Sequence, residues 1–159
     1  MDIQIRQLDS QSIHQVDMFD LNSIVSSHLV LQVNDNKITY TVVPVAAYEK
    51  MLSIDTEDKI AFIDDPQKAI FFAEVGGKPV GQVKVMPWWN KFAYIEELAV
   101  NIEFRGKGVG MALMKHAIEW ARMQEFPGMM LETQNNNVPA CKLYEKCGFV
   151  LGGFDQYAY

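Results

Sequence analysis

The chain has 159 residues, 49% hydrophobic and 21% charged, the proportions of a globular domain and not of a disordered or fibrous chain. Fourteen Lys and Arg against twenty Asp and Glu leave a formal charge of −6, which argues against a nucleic-acid-binding module. No run of eighteen apolar residues suits a membrane span. Cys141 and Cys147 form no CxxC pair, so neither a disulfide framework nor a zinc site is suggested, and no metal is expected. Met1–Arg6 lacks the basic start and apolar core of a signal peptide. The expectation is one cytoplasmic domain over residues 1–159. Its charge is uneven: residues 1–65 hold eleven acidic and four basic residues, a half that would attract a cationic partner.

Asp2–Leu8 alternates Ile3 and Ile5 against Gln4 and Arg6 and predicts a half-buried strand. Asp9-Ser10 then reads as the cap of a helix carrying Ile13, Val16 and Asp17-Met18-Phe19. Two period-two runs within His28–Val45, separated by Asn34-Asp35-Asn36-Lys37, predict a hairpin. Between Pro44 and Pro66 the pattern is mixed, with Ala46–Leu52 read as helical and Asp55–Asp58 as the polar opening of a short helix. Lys68–Val75 and Val80–Met86 are strands joined at Gly76-Gly77-Lys78-Pro79, and Phe92–Val100 is a third after the break at Pro87–Lys91. From Gly106 a long helix presents Val109, Ala112, Leu113, His116, Ala117, Trp120 and Ala121 on one stripe. Met129–Glu132 is a short buried strand, Asn137–Lys146 a second helix stopped by Gly148, and Phe149–Tyr159 returns to extended character.

Arg105-Gly106-Lys107-Gly108-Val109-Gly110 lies between a strand and the long helix. Glycines there let a ligand approach the backbone, and the amides of the first helical turn have no acceptor within the helix. With the helix dipole and two flanking cations, this predicts a phosphate site. It is neither a Walker A loop nor the dinucleotide fingerprint, which needs glycine where Met111 stands. The bland alternative is a loop that only turns a corner. On the second helix, Asn137, Ala140 and Tyr144 share a face, although Tyr144 taken alone reads as a core aromatic. Glu96-Glu97 interrupts an apolar strand; a carboxylate there is either used or sits on a solvated edge.

The loop and the Asn-Ala-Tyr helix, in this order, resemble the GNAT superfamily of N-acetyltransferases. The denser resemblance is to its streptothricin acetyltransferase group. It is carried by Trp89–Val100, Ile118-Glu119-Trp120-Ala121 and Leu131-Glu132-Thr133-Gln134-Asn135-Asn136-Asn137. The resemblance implies an α+β fold of α/β/α layers, its mixed and mostly antiparallel sheet splayed at the centre and flanked by helices. It implies acetyl-CoA as co-substrate. Residues 105–110 would hold its pyrophosphate, backbone groups of Leu98, Ala99 and Val100 its pantetheine arm, and Asn137, Ala140 and Tyr144 would face it near the sulfur. Glu96, with Glu97 as substitute, would take a proton from the acceptor amine, and Tyr144 would protonate the leaving thiolate. Asp64, Asp65, Glu74 and Trp88 would hold a small cationic amine, streptothricin being favoured. An acceptor that is a protein N-terminus or a polyamine would share every cofactor residue, and a non-catalytic acyl-CoA-binding module would need none of the catalytic ones. Relatives continue past the position of Tyr159 with a final strand, so either further residues or a second copy, as a homodimer, would complete the sheet.

Overall fold

In a computed structural model, which describes residues 1–14, 19–52 and 59–158, the elements run β1 (Ile3–Gln7), β2 (Ser23–Asn34), β3 (Lys37–Lys50), α1 (Lys59–Ile63), β4 (Ala69–Val75), β5 (Lys78–Pro87), β6 (Ala93–Val100), a 3-10 helix (Ile102–Phe104), α2 (Val109–Met123), β7 (Met129–Leu131) and α3 (Val138–Lys146). They divide into two compact units, Met1–Leu21 with Leu52–Leu131, and Asn22–Met51 with Glu132–Tyr159. Among the described residues, no helix is long and apolar enough to cross a membrane.

The first unit is a five-stranded sheet of order β1-β4-β5-β6-β7. The first three pairings are antiparallel, and β6 and β7 run parallel, as strands joined through a helix do. The near-continuous apolar run of β4 follows from burial on both faces. Ile70 and Phe72 join Leu8 and Phe62 of α1 in one cluster, while Phe71 meets His116 at 4.7 Å and Trp120 at 6.2 Å on α2. Val109, Leu113, Ala117 and Ala121, each one turn apart, form the buried stripe of α2. Gly81 lets α2 approach the sheet: a β-carbon there would stand 2.9 Å from the Ala99 carbonyl, 3.2 Å from Leu113 and 3.3 Å from Val109. Gly81→Ala is expected to cost about 1–3 kcal/mol through overpacking; an unchanged thermal midpoint would show that the helix yields freely.

The second unit is the β2–β3 hairpin with α3. Its turn, Asp35-Asn36, has φ of 51° and 61°, the left-handed pair that two-residue hairpin turns require and that Asp and Asn tolerate. Leu29 packs with Val138 and Cys141, with Tyr40 against them. Asn137 caps α3, and Gly148, at φ 98°, ends it.

Two local expectations change. Ala46–Leu52 is not helical: Tyr48, Glu49 and Lys50 continue β3 opposite Val25, Ile24 and Ser23, because cross-strand pairing overrides weak local propensity. Asp9 does cap, its carboxylate accepting from the amides of Gln11 and Ser12 at 3.0 and 2.9 Å, yet Ser10–His14 forms turns and no helix. Val16–Met18 and the polar opening Asp55–Asp58 lie outside the described residues. The stretch from Phe149 to Ala158 joins neither sheet.

Candidate active site

β6 loses its second neighbour halfway along. Its parallel ladder with β7 covers only Ala93, Ile95 and the residue between them. Beyond the Ile95–Leu131 pair, no strand among the described residues pairs with that edge over Leu98, Ala99 and Val100. A bulge marks the transition: opposite β5, Lys84 faces Glu97 and Val85 faces Ile95, so Glu96 is the extra residue, the kind that bends a strand and ends pairing. The backbone edge of β6 is thus open over Leu98, Ala99 and Val100 among the described residues, and an extended chain could add to it as a strand would.

That edge runs directly into a helix start. Arg105 Nε donates to the Val100 carbonyl at 3.0 Å, closing the turn. Gly106 and Gly108 follow at φ 72° and 89°. Gly108 is the N-cap of α2 and offers no side chain to its amides. A β-carbon at either glycine would meet nothing within 4 Å, so the space over the helix start is open to a ligand. The combination of first-turn amides, helix dipole and glycine backbone suits a pyrophosphate. Lys107 is exposed, its ammonium 5.4 Å from the Phe104 ring. Burial pushes the Arg105 guanidinium below its usual value, with Asp20 opposing. The Val109 side chain is buried in the core, leaving only backbone for a ligand, and Gly110 is half-buried.

The two carboxylates differ in setting. Glu96 is exposed, whereas Glu97 is half-buried and accepts a 2.5 Å hydrogen bond from Gln82 Nε2. Gln82 is 0% exposed and Lys84, directly opposite Glu97, is 1% exposed. The sequence reading of Val80–Met86 as a strand singles out neither residue. The Gln82 Oε1 has no hydrogen-bond partner among the described residues, an omission that costs about 1–3 kcal/mol.

The remaining expected cofactor residues belong to the second unit. Asn137 spends its Oδ1 on the Ala140 amide at 3.3 Å as the cap of α3. Ala140 and Tyr144 are half-buried, one turn apart, with Tyr144 beside Phe149 at 6.2 Å between rings. Burial pushes the Tyr144 phenol up to about 12, the thiols of Cys141 and Cys147 adding to the shift, so it holds its proton throughout the neutral range. The Gln134–Asn136 tract has a structural task that sequence reading missed. Lys50 Nζ donates to Gln134 at 2.6 Å and to Asn136 at 2.8 Å, and Asn135 exchanges hydrogen bonds with Leu29. The tract thereby ties the start of α3 to the hairpin.

The four expected acceptor residues do not form one cluster. Asp64 and Asp65 sit in the turn before β4, where Asp65 accepts from the Gln67 amide. Glu74 lies toward the far end of that strand, ion-paired with Arg6 at 3.4 Å. Trp88 stacks on Tyr94 at 4.0 Å. No group of three or more His, Cys, Asp or Glu among the described residues could hold a metal.

Comparison with known proteins agrees with this geometry. Residues 39–149 match the acetyltransferase (GNAT) family. Streptothricin acetyltransferase A of Bacillus subtilis is 39% identical over 66% of this chain and 61% of its own length. Streptothricin acetyltransferase of Escherichia coli is 44% identical over 60% of this chain and 55% of its own length. The chain therefore spans less than two thirds of these curated relatives. A crystal structure described as a "putative streptothricin acetyltransferase" from Bacillus anthracis in complex with acetyl coenzyme A superposes with a TM-score of 0.90 at 38% identity, over 99% of this chain and 90% of that one. With a family match over more than two thirds of its residues, and with the open edge of β6 and the glycine-lined helix start in place, the chain belongs to the acetyltransferase (GNAT) family.

Proposed function

We propose that the chain transfers an acetyl group from acetyl-CoA to a primary amine of a small cationic molecule, with streptothricin as the favoured acceptor. One observation carries the reading: the unpaired edge of β6 leads into the open, glycine-capped start of α2. The edge suits an extended amide-bearing arm, and the helix start suits a diphosphate. Bound acetyl-CoA supplies an activated acetyl thioester. Backbone groups of Leu98, Ala99 and Val100 hold the arm, and the amides at the start of α2, with Lys107 nearby, hold the diphosphate.

An alkylammonium loses its proton near pH 10.4, so a base must take it before the nitrogen can attack. Glu97, whose carboxylate Gln82 fixes, serves this better than the exposed Glu96. A backbone amide near Leu98 steadies the negative charge that develops on the acetyl oxygen. Tyr144 gives the proton at its Oη to the departing thiolate and regains one from the nitrogen, which sheds its second proton as the amide forms. The choice of acceptor is supported by the resemblance to two streptothricin acetyltransferases and by the acidic first half of the chain. The test is thiol release from acetyl-CoA with and without streptothricin. Release that depends on the antibiotic is expected; release with other amines but not with streptothricin would move the acceptor elsewhere.

A further inference from the structure

Resting on the amine-acetylating reading, we propose that Gln82 is a positioning residue for the reaction, holding the Glu97 carboxylate in the place from which it removes the acceptor's proton. Gln82 lies in the central strand β5 with 0% exposure, between Val80 and Lys84 on its face of the strand, both of them buried as well. Its Nε2 donates to Glu97 Oε1 at 2.5 Å, while its own Oε1 has no donor among the described residues. A residue kept for packing alone would be apolar, because a half-satisfied buried amide is worse than none. The amide is retained at a cost to stability, and what it secures is the direction of one carboxylate. Costs of this kind gather at functional sites.

The bulge at Glu96 explains the need. It removes the strict alternation that would otherwise aim the Glu97 side chain, so a neighbouring strand must fix it. Lys84, directly opposite Glu97 and 1% exposed, shares that face of β5 with Gln82. In the step itself a Glu97 oxygen takes one proton from the acceptor ammonium. This leaves a neutral amine with its lone pair free and a carboxylic acid that later gives the proton to water. Gln82 itself donates nothing and accepts nothing in that transfer.

The test uses Gln82→Met, which keeps volume and removes the orphaned oxygen, and Gln82→Asn, which keeps an amide one methylene too short to hold Glu97. Melting temperature, acetyl-CoA affinity, kcat and KM are measured for each. Gln82→Met is expected to melt at or above the parent temperature, to bind acetyl-CoA within about twofold of the parent, and to lose about tenfold or more in kcat, part of the 10²–10⁴-fold that general base catalysis supplies. Gln82→Asn is expected to show the same loss in kcat, and decides the matter if Gln82→Met does not fold. In the parent without ligand, the Gln82 side-chain amide proton is expected far downfield in the NMR spectrum and at an ordinary position in Glu97→Ala. Parent-like kcat in either folded variant, or an ordinary amide shift in the parent, would overturn the role of Gln82. Glu97→Gln separates the two levels. A loss there beside a parent-like Gln82→Met sinks only the positioning role, while parent-like kcat in both sinks the reading of Glu97 as base.

Discussion

Replacing Tyr144 by Phe is expected to lower turnover by about two orders of magnitude, the contribution of a positioned general acid, while acetyl-CoA affinity stays within about twofold of the parent. The two rings have the same shape, so packing against Phe149 survives. Only the proton at the Tyr144 oxygen is lost. Turnover within a few-fold of the parent would remove Tyr144 as the acid. The same residue leaves a mark on stability. Burial raises its phenol from 10.0 to about 12 in the folded chain. A raised folded-state value means that its contribution is present in full below pH 10 and is lost as the pH climbs through about 12. Urea midpoints across this range should therefore fall less steeply in Tyr144→Phe than in the parent. Parallel falls would show that the phenol titrates alike in the folded and unfolded chains.

Gly108→Val is expected to weaken acetyl-CoA binding by about 10- to 100-fold, equivalent to about 1.4–2.8 kcal/mol. Two effects combine there. At φ 89° and ψ 2° the residue sits in the left-handed region, where a β-branched side chain costs about 1–3 kcal/mol. Its β-carbon would also fill the open space over the first amides of α2, where the diphosphate is proposed to lie. Calorimetric titration separates the two, because strain appears in the melting temperature and obstruction in the dissociation constant. A variant that melts lower yet binds acetyl-CoA as the parent does would place the diphosphate elsewhere.

The sheet and α2 were legible in the sequence because each carries one dominant period. The apolar run of β4 and the stripe Val109, Leu113, Ala117 and Ala121 each match a single element type, and Gly76-Gly77 and Gly106 to Gly108 punctuate them. The bulge was not legible. Strict strand alternation would put Glu96 and Glu97 on opposite faces, but pairing with β5 skips Glu96. Gln82 and Lys84 were hidden for a related reason. Polar residues at alternate positions imply solvent only if that face is open, and Ile70 and Phe72 on neighbouring β4 are buried against Leu8 and Phe62. Ala46–Leu52 reads as helix in the sequence, and its Tyr48–Lys50 becomes strand because Ser23–Val25 lies opposite. Asn137 shows that one residue can meet two patterns, as it caps α3 while standing on the Ala140–Tyr144 face. The glycine loop predicted a phosphate site on physical grounds, whereas the thiol arm, the acid and the base came from family resemblance.

The most direct measurement is a titration of 15N-labelled protein with acetyl-CoA, followed through backbone amide resonances. The expected result is saturable movement of Leu98, Ala99 and Val100 together with Gly106 to Gly110, all with one dissociation constant, because the unpaired edge of β6 and the start of α2 would hold a single molecule. Binding that leaves either group still, or no binding at all, would contradict it.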